Sequence, residues 1–450
     1  MPTTTRRFAE CIQKIRYESL PAEAIEMARQ VTLDGLAVML AGVTEPLGLG
    51  RIVTAYVRDL GGNPDATVIG GGFKTSVTEA AFANGTMAHA LDFDNTFYPL
   101  NHPTSPTLPA ILALAEQRTL SGAQVIEAIV TAFEVQARLR MASTGLHTGQ
   151  GFHKPGTTGI FGAVAGSAKL LRLDTEQLLM ALGITGSRAG SLSINTGTMT
   201  KSSHAGHAAR MGLESALLAA RGWTANADIF GPGGYFDTFL GGEAEPGLLC
   251  ENFGNPFRMV DPGVGFKKHP CNYFTHRPID AALALRAEHG FTAQDIEAVD
   301  VIFPHFDYVN RPAPATGLDG KFSVQYTTLA ALLDGEITVD TFDNARRFAG
   351  DMQALLPRVQ LIFDDSIPVD FSAMHADVVV RLLDGRTVSK RVKELSGFVG
   401  FALSREQRVA KFHACARRVI PRAAADRVLA LVETLEHQNL VTEIMDLVRG

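Results

Sequence analysis

Four stretches of the chain concentrate polar groups where packing has no need of them. The first runs Asp92-Phe93-Asp94-Asn95-Thr96 and resumes at Asn101-His102-Pro103-Thr104-Ser105-Pro106. It falls between two helix-like segments, and loops on rigid scaffolds carry much of protein function. The second is Gly151-Phe152-His153-Lys154-Pro155-Gly156-Thr157-Thr158-Gly159, a histidine in a Gly-rich loop just before a helix start, where free N–H groups favour anions. The third is Gly197-Thr198-Met199-Thr200-Lys201-Ser202-Ser203-His204-Ala205-Gly206-His207. The fourth, Phe266-Lys267-Lys268-His269-Pro270-Cys271, lies where the character of the chain changes, and a lysine in a closing interface is placed to pair with a carboxylate. Singly, each also fits an ordinary use: a capped polar turn, a helix entry, surface lysines.

Two groupings raise a metal. His204 and His207 stand three apart on a helix, and His269, Cys271 and His276 cluster in sequence; either set offers donors to a divalent ion. No HExxH, CxxC or EF-hand spacing accompanies them, so the reading is of no metal. The small-residue run Gly162–Ala168 lacks the GxGxxG pattern and the preceding strand of a nucleotide loop. It reads as close helix packing, and no organic cofactor is expected.

The elements that must position these groups are mostly helices. Pro21 introduces apolar residues at helical spacing over Ala22 to Val43. Ser76 with Glu79, and Ser121 with Gln124, read as capping boxes opening helices towards Leu91 and Ala142. Further helices are predicted at Pro106 to Arg118, Gly159 to Leu173 and Thr175 to Ser187. After Gly265 the pattern changes. Ala298 to Phe303 alternates like a strand, and Asp377 to Leu383 and Arg386 to Val392 form a hairpin about Asp384-Gly385. Helices at Pro278 to His289 and Ser323 to Leu333 interleave with these strands, and from Ser404 the chain is helical again. The fold class predicted is mainly α: an all-α helical domain from residues 1–264 plus 399–450, with an inserted smaller α+β lid domain at 265–398.

The bulk properties bound the function. The chain has 450 residues, 46% hydrophobic and 20% charged, enough for a sizeable core. A formal net charge of -6 argues against a nucleic-acid surface but not against a small anionic substrate, because a pocket can be basic inside an acidic protein. The four cysteines are widely spaced and suggest a reducing compartment. Met1 to Arg7 is polar with no apolar signal core, and Val31 to Val43 is too short to span a bilayer and carries Asp34. A cytoplasmic protein with no membrane partner is expected.

Taken together, the segments "ANGTMAHALDFDNT" with "NHPTSPTLPAILALAE", "GFHKPGTTGIFGAVAGSAKLL", "GTMTKSSHAGHAARMGLESALLAARG" and "FKKHPCNYFTHRPIDA" resemble the signature blocks of the MmgE/PrpD family. That family includes 2-methylcitrate dehydratases, cis-aconitate decarboxylases and iminodisuccinate epimerases. A fifth segment, "KFSVQYTTLAALLDG", is similar to its lid segment. The resemblance implies a homodimer, a small anionic polycarboxylate substrate and an active site between the helical domain and the lid. Position by position it implies site residues Asp92, Thr96, His102, His153, Lys201, Lys267 and Tyr326. The sequence departs from many relatives at Lys154-Pro155, where those have Pro then Thr, and at Lys268, which adds a basic residue beside Lys267.

The chemistry so implied is proton movement at a carbon flanked by carboxylates, whose developing negative charge needs fixed cations and donors. Lys201 and Lys267 would grip carboxylates. His102 and His153 would serve as acid and base, Asp92 and Thr96 would bind substrate, Asp92 would also orient a histidine or oppose the push of the ammonium groups towards its neutral form, and Tyr326 would act from the lid. A cofactor-independent lyase, dehydratase-like or decarboxylase-like, is the expected function. An epimerase is the runner-up, with a non-catalytic helical binding protein and a metal hydrolase as alternatives of other classes.

Overall fold

The computed structural model describes residues 1–143, 151–241 and 243–450. The chain is 56% helical with small sheets. The helix Ala22–Val43 begins behind Pro21, whose fixed φ and missing N–H suit a helix start, and is buried nearly throughout from Val31 to Gly42. The box at Ser121 forms as its sequence predicts: its hydroxyl accepts from Gln124 N–H and the glutamine side chain answers the cap N–H. The box at Ser76 does not form. Its hydroxyl makes no cap bond, because Glu79 is drawn into a 2.8 Å ion pair with Arg210.

What places the site is a close helix crossing. Met199–Ala219 packs against both Val77–Ala88 and Ile160–Leu171. Gly85 and Gly206 meet where the first pair cross: a Cβ on Gly206 would lie 2.3 Å from the Phe82 carbonyl oxygen, and one on Gly85 would lie 2.8 Å from Gly206 Cα. Only glycine lets the backbones approach this closely. The approach sets Lys201 and His204 beside the C-terminal end of Val77–Ala88, where Ser202 donates to the His89 carbonyl at 3.2 Å. The small-residue run Gly162–Ala168 serves packing too, with Gly162 against Gln136 and Gly166 against Ile111.

Downstream lies a four-stranded sheet in the order Val359–Phe363, Ile296–Phe303, Ala376–Leu382, Thr387–Val392. The hairpin about Asp384-Gly385 is antiparallel, and Gly385 takes the positive φ that its turn needs. The pairing of Val359–Phe363 with Ile296–Phe303 is parallel. Helices His276–His289 and Val324–Asp334 pack on each other and against strands of this sheet, and their apolar faces join one core running from Cys271 to Phe398. The chain then returns to its beginning: Arg405–Ala416 packs on Ala22–Val43, and Phe412, Cys415 and Val428 share a core with Ala28, Leu36 and Leu40. Phe266 and Val339 also reach this core from inside the 265–398 span. A two-residue antiparallel pairing, Thr96↔Gly265 and Phe97↔Val264, stitches the Asp92–His102 loop to the segment carrying Lys267. Among the described residues no helix is long and apolar enough to cross a membrane.

Candidate active site

Val77–Ala88 ends at His89, and the chain turns inward through Ala90-Leu91-Asp92, where Asp92 takes a left-handed φ of 49°. Asp92 is almost wholly buried. Its Oδ1 is paired with Lys201 Nζ, and its Oδ2 accepts from Lys267 Nζ at 2.9 Å. Lys267 also donates to the Asp92 backbone carbonyl, and Asn272 Nδ2 stands 3.5 Å from Oδ2. Burial alone would lift the Asp92 carboxyl, but Lys201 and Lys267 outweigh it and hold the group well below the usual carboxylate range. Asp92 is therefore ionised, and two ammonium groups share one carboxylate.

A second carboxylate, Asp94, organises the histidines. Its Oδ1 contacts His89 Nδ1 at 2.9 Å, while its Oδ2 accepts from Ser105 Oγ at 2.6 Å and faces His102 Nδ1 at 3.2 Å. This leaves His102 Nε2 turned towards Asp92, 3.8 Å from Oδ1. Burial raises the Asp94 carboxyl, yet His102 and His89 bring it well below its usual range. The rings of His89 and His153 lie 5.4 Å apart, and His153 meets His204 with Nδ1 to Nδ1 at 3.0 Å. Burial first, and then the Lys201 charge, pushes His153 far below an ordinary histidine and His204 down to about 4. His89 also falls to about 4, chiefly through burial, against the pull of Asp94. These three imidazoles are neutral near pH 7.

Of the donor groupings, His89, Asp94 and His102 bring one ligand atom each within 4.8 Å of one another, the one such group among the described residues. A carboxylate between two imidazoles suits a divalent ion, but here Asp94 already faces both Nδ1 atoms and accepts from Ser105. The sequence-neighbour sets do not converge. His204 faces His153 while His207 is exposed. His269 Nε2 contacts Asp280 at 2.9 Å, Cys271 Sγ lies 3.1 Å from Thr275 Oγ1, and His276 is fully buried against the Cys271 backbone.

Asp92, His102, His153, Lys201 and Lys267 are thus brought together; Tyr326 is not. It occupies the first turn of Val324–Asp334 and points into the downstream core, its ring against Gly320, where a Cβ would come within 2.8 Å. Its phenol donates to the Thr341 carbonyl, and the charges that act on it are Arg346, Asp334 and others outside the site. Two other tyrosines adjoin the site: Tyr273, whose ring lies 5.6 Å from Lys267 Nζ, and the more exposed Tyr308. Loss of solvent around the phenol and then the Asp92 charge raise Tyr308, whose ring packs edge-on at 6.1 Å to Phe322, which in turn lies 4.9 Å beneath Lys201 Nζ. Thr96 is buried in the strand stitch with its hydroxyl unpartnered. Lys268 turns away to Asp280, at 2.9 Å, and adds no charge to the Asp92 cluster.

Two further lysines escape sequence reasoning. Lys321 is fully buried, donates to the Ala90 carbonyl at 2.9 Å and lies 3.6 Å from Glu45. Burial draws it down to about 8, with Glu45 and Asp92 pulling the other way. Lys411 pairs with Asp34 at 2.6 Å and donates to the carbonyls of Phe93 at 3.0 Å and Lys267 at 3.1 Å. It thereby ties together the backbone on both sides of the Asp92–Lys267 contact.

The site is thus buried, with two ammonium groups on one carboxylate and neutral imidazoles at its edge. Comparison with known proteins names the group. Residues 6–246 match the MmgE/PrpD N-terminal domain and residues 269–437 the MmgE/PrpD C-terminal domain, so the chain belongs to the MmgE/PrpD family. It is 31% identical to the cis-aconitate decarboxylase of Mus musculus, over 100% of this chain and 94% of that protein. To the Homo sapiens cis-aconitate decarboxylase it is 30% identical, over 100% and 95%. To the 2-methylcitrate dehydratase of Salmonella typhimurium it is 25% identical, over 99% and 98%. Both named activities are lyase reactions, and this chain is an enzyme of that type.

Proposed function

We propose that the chain is a cofactor-independent lyase that decarboxylates a small tricarboxylate of the cis-aconitate type. It would act as a homodimer, with the helical domain and the 265–398 lid closing on the substrate. The observation that carries this reading is the pair of ammonium groups of Lys201 and Lys267 fixed on one ionised Asp92. That buried cluster holds one more positive than negative charge, and a substrate carboxylate completes the balance through charge-assisted hydrogen bonds. The full-length likeness to the mouse and human decarboxylases supports the choice of reaction.

The reaction needs one proton. When the carbon–carbon bond to the departing carboxylate breaks, its electron pair stays on the substrate carbon and spreads towards a remaining carboxylate. Lys201 and Lys267 stabilise that charge in a site that excludes water. The carbon then takes a proton from His102 or His153, and carbon dioxide leaves. In the free site Lys201 helps to keep His153 neutral. An arriving polyanion opposes that repulsion and so eases the positive charge that builds on the imidazole only while the proton moves. Dehydration is the second reading, supported by the full-length likeness to the Salmonella dehydratase; there the same groups move a proton while hydroxide leaves.

The test is to offer cis-aconitate, citrate, 2-methylcitrate and iminodisuccinate separately in deuterated water and follow each by NMR. Decarboxylation of cis-aconitate with one new carbon–deuterium bond is expected. Dehydration of 2-methylcitrate alone would move the assignment to the second reading, and inversion of iminodisuccinate alone to an epimerase. Turnover of none of them would overturn the proposal.

A further inference from the structure

The contact between His153 and His204 is left over by the chemistry above. The two Nδ1 atoms stand 3.0 Å apart, a distance that two ring nitrogens keep only when one carries a proton and the other offers its lone pair. One of the two rings must therefore be the Nδ1–H tautomer. Of the neighbouring rings, His89 has its Nε2 sealed in protein without a partner. His204 keeps 7% of its surface exposed, and His153 is only partly buried. The charged and titratable groups acting on the pair are Lys201, His89 and His102 on the His153 side, and Lys201 and His207 on the other. All are cationic or neutral, so neither ring is held as a fixed imidazolium by a carboxylate, in contrast to the grip of Asp94 on His89 and His102.

We propose that His204 is a proton-relay residue that connects His153 in the pocket to solvent, resting on the reading of His153 as the proton donor. In the loaded pair, His153 carries its proton on Nε2 and His204 on Nδ1. His153 gives the Nε2 proton to the substrate carbon and accepts at Nδ1 the proton that His204 holds there. His204 takes a replacement at Nε2 from water. One proton enters from solvent and one leaves to carbon, and neither ring has to carry a charge for longer than the transfer. After product departs, pocket water protonates His153 Nε2, the Nδ1 proton returns to His204, and His204 Nε2 releases its proton, which restores the loaded pair. The relay supplies the one proton that each decarboxylation consumes without opening the pocket during the reaction.

His204→Gln tests this, because the amide can still hydrogen-bond to His153 Nδ1 but cannot pass a proton on. The expected result is a kcat lowered by about tenfold or more with KM little changed, since a positioned acid–base group contributes factors of about a hundred or more. Added imidazole should raise the variant's kcat in proportion to its concentration and leave the wild type unmoved. A kcat within about twofold of wild type, or a loss that imidazole does not rescue, would overturn the relay and leave His204 as a spacer. A second measurement needs neither substrate nor variant. In wild-type protein labelled with nitrogen-15 histidine, long-range proton–nitrogen correlations at neutral pH should show one Nδ1–H ring in this pair. Two Nε2–H rings would overturn the relay even if the decarboxylase reading stands. One Nδ1–H ring without turnover of any tricarboxylate would place the failure with that reading instead.

Discussion

Lys267 holds Asp92 at two points, the carboxylate Oδ2 at 2.9 Å and the residue's own backbone carbonyl. The lysine thus fixes both the charge of Asp92 and the left-handed turn that presents it. Lys201 reaches the other oxygen from a different helix. Lys267→Ala should lower kcat/KM by at least about tenfold, because a hydrogen bond to a charged group is worth about 1.5–3 kcal/mol. Lys201→Ala should do the same with a smaller loss of thermal stability, since it gives up one contact rather than two. Steady-state kinetics and melting curves of both variants check this; near-normal kinetics in either removes that lysine from the site.

Acid should weaken the fold in two separate pH windows. His89 and His204 titrate at about 4 in the folded protein against an ordinary value of about 6.5. Below about 6.5 the unfolded chain takes up protons that the folded chain refuses. Stability is therefore lost as pH falls from about 6.5 towards 4. Asp92 and Asp94 are shifted down, so their contribution is intact above the ordinary carboxylate range and is lost only below about 4. Melting temperatures between pH 7 and 4 should fall steadily, and His204→Gln should flatten part of that slope. A wild-type profile flat from pH 7 to 5 would show that these imidazoles are not neutral in the fold.

Tyr308 and Tyr326 should separate cleanly. Tyr308→Phe removes the hydroxyl that senses Asp92 and should lower kcat by about tenfold, within the range of general acid–base groups. Tyr326→Phe should leave kcat/KM near wild type and instead cost about 1–3 kcal/mol of stability, by leaving the Thr341 carbonyl without its donor. The reverse pattern would return Tyr326 to the site.

This contrast shows what the sequence makes legible. The segments that carry Asp92, His102, His153, Lys201 and Lys267 stand out because polar residues occupy loops and helix starts that packing does not explain, and the family resemblance picks these residues out within them. Tyr326 comes from the resemblance alone; its helical phase turns it inward, and phase relative to a distant core is not a local signal. His89 reads as the last turn of an ordinary helix, and its role comes from Asp94, which folds back onto it. The hairpin about Asp384-Gly385 is visible because its turn chemistry is local. The parallel pairing of Val359–Phe363 with Ile296–Phe303 is not, since four helices and several turns intervene. Lys411 is hidden for the same reason: on an amphipathic helix near the end of the chain it resembles any surface lysine.

Lys411 is also the sharpest case in which stability and geometry can be told apart. Its ammonium lies 2.6 Å from Asp34 and 3.8 Å over the Phe93 ring while it donates to the carbonyls of Phe93 and Lys267. Asp34 in turn accepts from Asn95, which accepts from Thr104, so the clamp extends along the whole Asp92–Ser105 loop. Burial lifts the Asp34 carboxyl and Lys411 opposes that lift. Lys411→Met should therefore strand a buried carboxylate and cost about 3–5 kcal/mol, as breaking one side of a buried pair does. Adding Asp34→Asn removes the stranded charge and should recover much of the melting temperature. It does not restore a donor to the Phe93 and Lys267 carbonyls, so Asp92 and Lys267 stay less firmly placed, and a small misplacement is expensive in rate. The double variant should thus be stable yet about tenfold or more slower in kcat than wild type. Recovery of kcat together with stability would show that Lys411 merely neutralises Asp34 and takes no part in positioning the site.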